Sequence, residues 1–389
     1  AVDIYPSKLW MKAKVNYVFE NKSGVPVSEF FVTLPVKKKY TTLTIDRPAE
    51  LAVKDERIDI NIYRFAIPVA PGEKVNVTYT VDYGSEGFKN SGTMTSIAGN
   101  GTFFNNQSFF PGFGYNDGGE LSSDKKREQY GFQPKPRMPP ISDEKAKQVT
   151  YVTGLDADWI DFETTVSTDK GQIAIAPGYL QKEWEDGDRH YFQYAMDTKI
   201  LNFYSYLSAH YEVKRDKWNG VNIEVYYQKG HEYNIESMIE ATKQGLAYYT
   251  ENFGPYQHRQ FRILEFPRYS TFAQSFPNTI PFSESIGFIA KVDPKDEEDL
   301  DYPYYVTAHE LAHQWWAHQV IGANVQGATV LSETLSQYSA LMVMEKRFGR
   351  DKMARFLQHE MNDYLRSRSG ETKKELPLFL NENQQYIHY

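Results

Sequence analysis

The stretch His309-Glu310-Leu311-Ala312-His313, inside TAHELAHQWWAHQ, constrains this chain more than any other. Its two histidines stand four residues apart. On a helix that spacing puts both imidazoles on one face, one turn apart, where they can share a single cation. The surroundings predict the helix: Pro303 suits a first turn, and Val306, Leu311, Ala312 and Trp315 form an apolar stripe beside the histidines. Glu310 follows the first histidine and can reach a metal-bound water as a general base.

A catalytic zinc usually takes three protein ligands and keeps one position open. Glu333 is the only carboxylate between Gln314 and Met344. It opens a second stretch of helical apolar spacing (Leu335, Tyr338, Leu341, Met342, Met344). Packed on the first helix, this one would carry Glu333 to His309 and His313, so the expected cofactor is one Zn2+ per chain. A third histidine in the pattern H-E-x-x-H-x-x-G-x-x-H is excluded, because Trp316 and Gln319 occupy its glycine and histidine positions. His318 lies about 140° around a helix from His313. It is expected to face away, as a surface or supporting residue. His210, His231 and His258 read as surface or core residues.

At 389 residues the chain exceeds one ordinary core, so two domains are expected. The net charge of −8 and the lack of any basic block exclude nucleic acid as a partner. The chain has no cysteine, which removes disulfides, thiolate metal sites and a cysteine nucleophile. No stretch approaches the roughly 18 apolar residues of a membrane-crossing helix.

Residues 1–215 read as a β-rich domain. Met11, Ala13, Val15, Tyr17 and Phe19 alternate with mostly polar neighbours, as do Ile58, Ile60 and Ile62, and Val75, Val77, Tyr79, Val81 and Tyr83. Period-two alternation predicts antiparallel strands with one wet face. Pro71-Gly72-Glu73 and Asp169-Lys170-Gly171 mark turns. Residues 84–150 are an irregular excursion rich in Gly, Pro and charge. Leu201–Val213 reads as an aromatic strand and Lys214–Gly220 as a domain boundary. Residues 216–389 then run strand (Val221 to Tyr227), helix (Ile235 to Tyr249, stopped at Asn252-Phe253-Gly254-Pro255), strand (Phe261–Phe266) and the two histidine- and glutamate-bearing helices.

HELAHQWW with a glutamate on the next helix resembles the aminopeptidase N and leukotriene hydrolase family of zinc metallopeptidases. The resemblance implies an α+β multidomain fold: an N-terminal antiparallel β-domain, then a thermolysin-like catalytic domain that here is incomplete at its C-terminal end. Peptides are the implied substrate. The interval from His313 to Glu333 is one residue longer than the family's, which the Gly322–Gly327 connection can absorb. Thermolysin-like enzymes are the runner-up. By the same resemblance the irregular excursion lines the cleft through Phe109-Phe110-Pro111-Gly112-Phe113-Gly114; the bland alternative for the excursion is a solvated linker. Tyr389, with Tyr386 as the alternative, matches a tyrosine that stabilises the oxyanion. The family's G-x-M-E-N strand, whose glutamate holds the substrate amine, is absent; Phe272-Ala273-Gln274-Ser275-Phe276 stands in its place. The backbone there can still add a peptide as a strand. Amine recognition is expected to be altered or weakened, with Gln274 or Glu284 as its remaining groups.

A finer likeness joins HELAHQWWAHQVIGANVQGATVLSETLSQYSALMVMEKRFG and ELSSDKKREQYGFQPKPRMP to the peptidase-like domain fused to bacterial ABC transporter permeases. That likeness implies membrane segments of a fused permease as partners and an extracytoplasmic location. It also keeps a second function open: a zinc-bound, catalytically weak domain that captures peptides for a transporter. An epoxide hydrolase on the same scaffold is a third class that no residue here favours.

Overall fold

The computed structural model describes residues 1–36, 40–84, 95–115, 120–151, 158–293, 295, 299–371 and 374–382. The chain forms two compact units. The first comprises residues 1–134 and 158–210, the second 135–157 and 211–389.

The first unit is built on β-sheets, as the alternation predicts. Its largest sheet has seven strands in the order Tyr179–Asp186, Arg189–Ala195, Glu163–Asp169, Val2–Tyr5, Trp10–Glu20, Lys74–Gly84, Thr41–Ile45. All neighbours are antiparallel except Val2–Tyr5 beside Glu163–Asp169. Met11 and Ala13 are buried while Lys12 and Lys14 are exposed, and Val75, Val77, Tyr79 and Val81 face inward. The Tyr79 hydroxyl stays satisfied in that core by donating to the Phe109 carbonyl at 2.9 Å.

Ile58 is an exception to the alternation. It lies in a turn and is exposed, and the strand begins at Ile60, with Asn61 buried between half-buried Ile60 and Ile62. Phe109, Phe110 and Phe113 are also core residues of this unit, and Gly112–Phe113 pairs with Val32 and Thr33. Within the excursion these residues are not solvated: three phenylalanines in five residues hold them in the apolar interior, while most of the described residues from 121 to 149 are exposed.

In the second unit a four-stranded sheet runs Tyr211–Trp218, Val221–Gln228, Gln260–Phe266, Thr279–Ser283. The stretch read as one strand over Leu201–Val213 divides into Ile200–Leu201, Ser205–Ala209 and Tyr211–Trp218. The stretch read as a boundary, Lys214–Gly220, is instead the first hairpin of this sheet. Asn219 and Gly220 both take positive φ (39° and 87°), the geometry of a two-residue hairpin turn, and pair Trp218 with Val221. Residues 135–151, from the irregular excursion, pack here because their backbone bonds to 322–326: Tyr151 N–H to Gly322, Asn324 N–H to Val149, Gln326 N–H to Pro139. The Arg137 guanidinium pairs with Glu371 as well.

Among the described residues four long helices complete this unit: α1 (Ile235–Phe253), α2 (Tyr302–Ala312), α3 (Glu333–Phe348) and α4 (Arg350–Ser369). Helix α1 joins two parallel strands, Val221–Gln228 and Gln260–Phe266, as such a crossover requires. It ends at Gly254, with φ of 106°. Gly245 of α1 lets α2 come close, since a Cβ there would stand 2.7 Å from a Leu311 methyl. The Tyr249 hydroxyl donates to the Ala308 carbonyl at 2.9 Å and ties the same two helices. Among the described residues no helix is long and apolar enough to cross a membrane.

Candidate metal centre

Helix α2 starts where the sequence predicts. Asp301 caps it, accepting the Tyr304 N–H at 3.0 Å, and Pro303 sits in the first turn. The helix places His309 and His313 on one face, with Nε2 atoms 3.0 Å apart. Glu333 is the first residue of α3, and its Oε2 lies 3.4 Å from His309 Nε2 and 3.3 Å from His313 Nε2. Two donors on a tetrahedral zinc, each at about 2.0–2.1 Å, stand about 3.3 Å apart. The three groups thus have the mutual spacing of a zinc ligand set, and they can hold one metal ion.

Neighbouring groups orient these side chains. The Trp316 carbonyl, which can only accept, lies 3.0 Å from His313 Nδ1 and draws the ring proton to that nitrogen. Nε2 is left to present its lone pair. The Ser336 hydroxyl, also 3.0 Å from Nδ1, packs beside the same atom. Burial works against ionised Glu333, but His313 and His309 outweigh it and hold its pKa well below the usual carboxylate range. Burial likewise opposes a charge on His313, but Glu333 wins and raises the imidazole to about 9. The cluster therefore demands positive charge, which a proton or a divalent metal can meet.

Glu310 is buried beside the two histidines. Burial raises its pKa, while His309, His313 and a hydrogen bond from the Ser275 backbone favour the carboxylate. That bond shows where Phe272–Phe276 lies: its Ala273 and Phe276 pair with Phe282 and Thr279 as an outer edge of the sheet. Gln274 is half-buried there, next to Ser275, and donates its N–H to the Pro281 carbonyl.

Glu284 gathers elsewhere. Its carboxylate accepts the Arg268 N–H at 3.2 Å and groups with His231 and Glu265. Within that group Glu265 is fully buried and already accepts hydrogen bonds from the Gln228 N–H and from His231.

His318 departs from the sequence reading. It is buried, 3 % exposed, and donates from Nε2 to the Ser275 carbonyl at 3.2 Å. The helical angle that turned it outward does not apply, because α2 ends at Ala312 and the chain continues in turns. Burial pushes its pKa down to about 4. Tyr386 and Tyr389 lie outside the described residues. Sequence reasoning missed Ser275, Gln314 and Ser336, whose roles come from contacts between distant segments. Only the position of Gln314, directly after the second histidine, hinted at one.

With this geometry in hand the chain can be set beside known proteins. No protein-family model matches the sequence, and no curated protein matches it. Solved structures do match. The M1 zinc metallopeptidase from Deinococcus radiodurans superposes with a TM-score of 0.58 at 13 % identity, over 97 % of this chain and 75 % of that one. A mutant of it bound to a Tyr-Ser-Ala substrate gives a TM-score of 0.60 at 13 % identity, over 98 % and 76 %. A two-domain M1 zinc metallopeptidase mutant bound to L-tryptophan gives 0.58 at 13 %, over 100 % and 78 %. The fold is that of the M1 zinc metallopeptidases. The expected architecture, a β-rich N-terminal part followed by a mixed part ending in helices, is the one observed.

Proposed function

We propose that this protein is a zinc metallopeptidase that hydrolyses peptide bonds. The observation that carries the reading is the convergence of His309, His313 and Glu333 at 3.0–3.4 Å beside buried Glu310. The three residues would hold one zinc. When bound, zinc supplies Lewis acidity that lowers the pKa of a water toward 7 and polarises a carbonyl. Glu310 takes the water's proton and returns a proton to the departing amine. Its mixed surroundings, buried yet flanked by imidazoles, suit a group that must do both. Tyr389 serves the oxyanion on the strength of the family resemblance alone.

Substrate enters as an extended peptide along the outer edge at Ala273 and Gln274. The neighbours solved with a Tyr-Ser-Ala substrate and with a free amino acid support a peptide substrate. Grip on the N-terminal amine is weaker here than a G-x-M-E-N glutamate provides, with Gln274 as the nearby polar contact. Glu284, engaged with Arg268, His231 and Glu265, is the less favoured anchor. The fused-permease likeness rests on the sequence stretches quoted above; on it the domain works outside the cytoplasm, and weak hydrolysis would turn it into a peptide-capture module. A peptide-library digest read by mass spectrometry, with zinc and with chelator, tests the whole reading. Zinc-dependent cleavage is expected, and zinc-loaded protein that binds peptides without cutting them would leave capture as the function.

A further inference from the structure

Gln314 follows the second histidine of the motif and is fully buried. Its carboxamide makes three hydrogen bonds, all to one distant hairpin. Nε2 donates to Ser275 Oγ at 2.6 Å and to the Phe276 carbonyl at 2.8 Å, and Oε1 accepts the Asn278 N–H at 2.9 Å. An amide N–H can only donate and a carbonyl can only accept, so these partners allow one orientation of the side chain. Two more residues of the same segment grip the hairpin at Ser275. Glu310 accepts from its backbone and His318 donates to its carbonyl. Glu310 on α2 and Gln314 and His318 in the turns that follow it together hold the hairpin, while His309 and His313 face the metal position.

The hairpin's free side is where this matters. Ala273 pairs with Phe282 in a position flanked by the bonds from Gln274 N–H to Pro281 and from Ser283 N–H to Phe272. Its own N–H and C=O therefore point away from the inner strand. Among the described residues no backbone bond engages them, so they offer a strand edge to an extended peptide.

We propose that Gln314 is a positioning residue for substrate. By clamping Ser275–Asn278 onto the metal-motif segment, it sets where the open edge at Ala273 stands relative to Glu310. The proposal rests on the peptidase reading above and adds to it the element that places the peptide. A substrate that lies along the edge should feel the clamp, and one too short to do so should not.

The test uses the whole chain loaded with zinc. Gln314→Met keeps length and removes all three bonds; Ser275→Ala removes only the hydroxyl partner and is the milder variant should the first fail to fold. Both should retain the wild-type zinc content and show faster hydrogen exchange at the Ser275–Thr279 amides. For a tetrapeptide, Gln314→Met should lower kcat/KM about tenfold or more, mainly through KM, because the edge that receives the peptide is no longer held in place. A single-residue arylamide should lose far less, and Gln314→Glu, which keeps the acceptor for Asn278, should fall between. Equal losses on both substrates, or unchanged exchange at 275–279, overturn the proposal. Should wild-type protein cleave neither substrate, the peptidase reading has failed, and the exchange rates alone decide whether Gln314 holds the hairpin.

Discussion

The Glu333 carboxylate lies 3.3 Å from His313 Nε2, though twenty positions of chain (333 − 313) separate them. It reaches there as the first residue of α3, packed against α2. The pair gives the first prediction. Purified protein should carry close to one zinc per chain, and His313→Ala should lose it. Chelation should also lower the melting temperature, because a ligand bound only by the folded state stabilises it. Full metal occupancy in His313→Ala would rule out this ligand set.

Glu310→Gln should keep zinc and lose hydrolysis by several orders of magnitude. The ligands remain, but the acceptor of the water's proton is gone. Turnover and metal content measured on one preparation check this; unchanged turnover would place the base elsewhere.

Amine recognition gives the third prediction. A charge-assisted bond to the substrate ammonium is worth roughly 1.5–3 kcal/mol, or about 10- to 150-fold in preference for a free N-terminus. Without the G-x-M-E-N glutamate that preference should shrink, so a free and an acetylated form of one peptide should be cleaved at comparable rates. A hundredfold preference for the free form, removed by Glu284→Gln, would instead make Glu284 the anchor.

His318 predicts a pH dependence of stability. Its folded pKa, pushed down by burial to about 4, lies below the unfolded value near 6.5. Between those values the unfolded chain binds the extra proton, so stability rises with pH across the window and is lost as pH falls from 6.5 toward 4. The full effect is about 3 kcal/mol at one unit of pKa per 1.4 kcal/mol. His318→Gln keeps a donor for the Ser275 carbonyl but cannot take the proton. Urea unfolding at pH 7 and at pH 4.5 should therefore show a smaller drop for the variant than for wild type.

What the sequence determined was local. Four-residue spacing on a capped helix brings His309 and His313 together whatever surrounds them, and Glu333 was the single carboxylate within reach. Alternation in Trp10–Glu20 and Lys74–Gly84 likewise marks a buried face, because side chains on a strand point to opposite sides in turn. The tertiary structure decided what depends on where elements stop and which distant segments meet. His318 is buried because α2 ends before it. Lys214–Gly220 is a hairpin because Tyr211–Trp218 finds Val221–Gln228 as a partner. Phe113 is core because it meets the strand at Val32, and Phe110 because it packs on Tyr204 and Tyr206. Gln314 and Ser275 lie thirty-nine positions apart. No periodicity links them; hydrogen bonds reach only about 3 Å, so their pairing exists only once sheet and helix are packed.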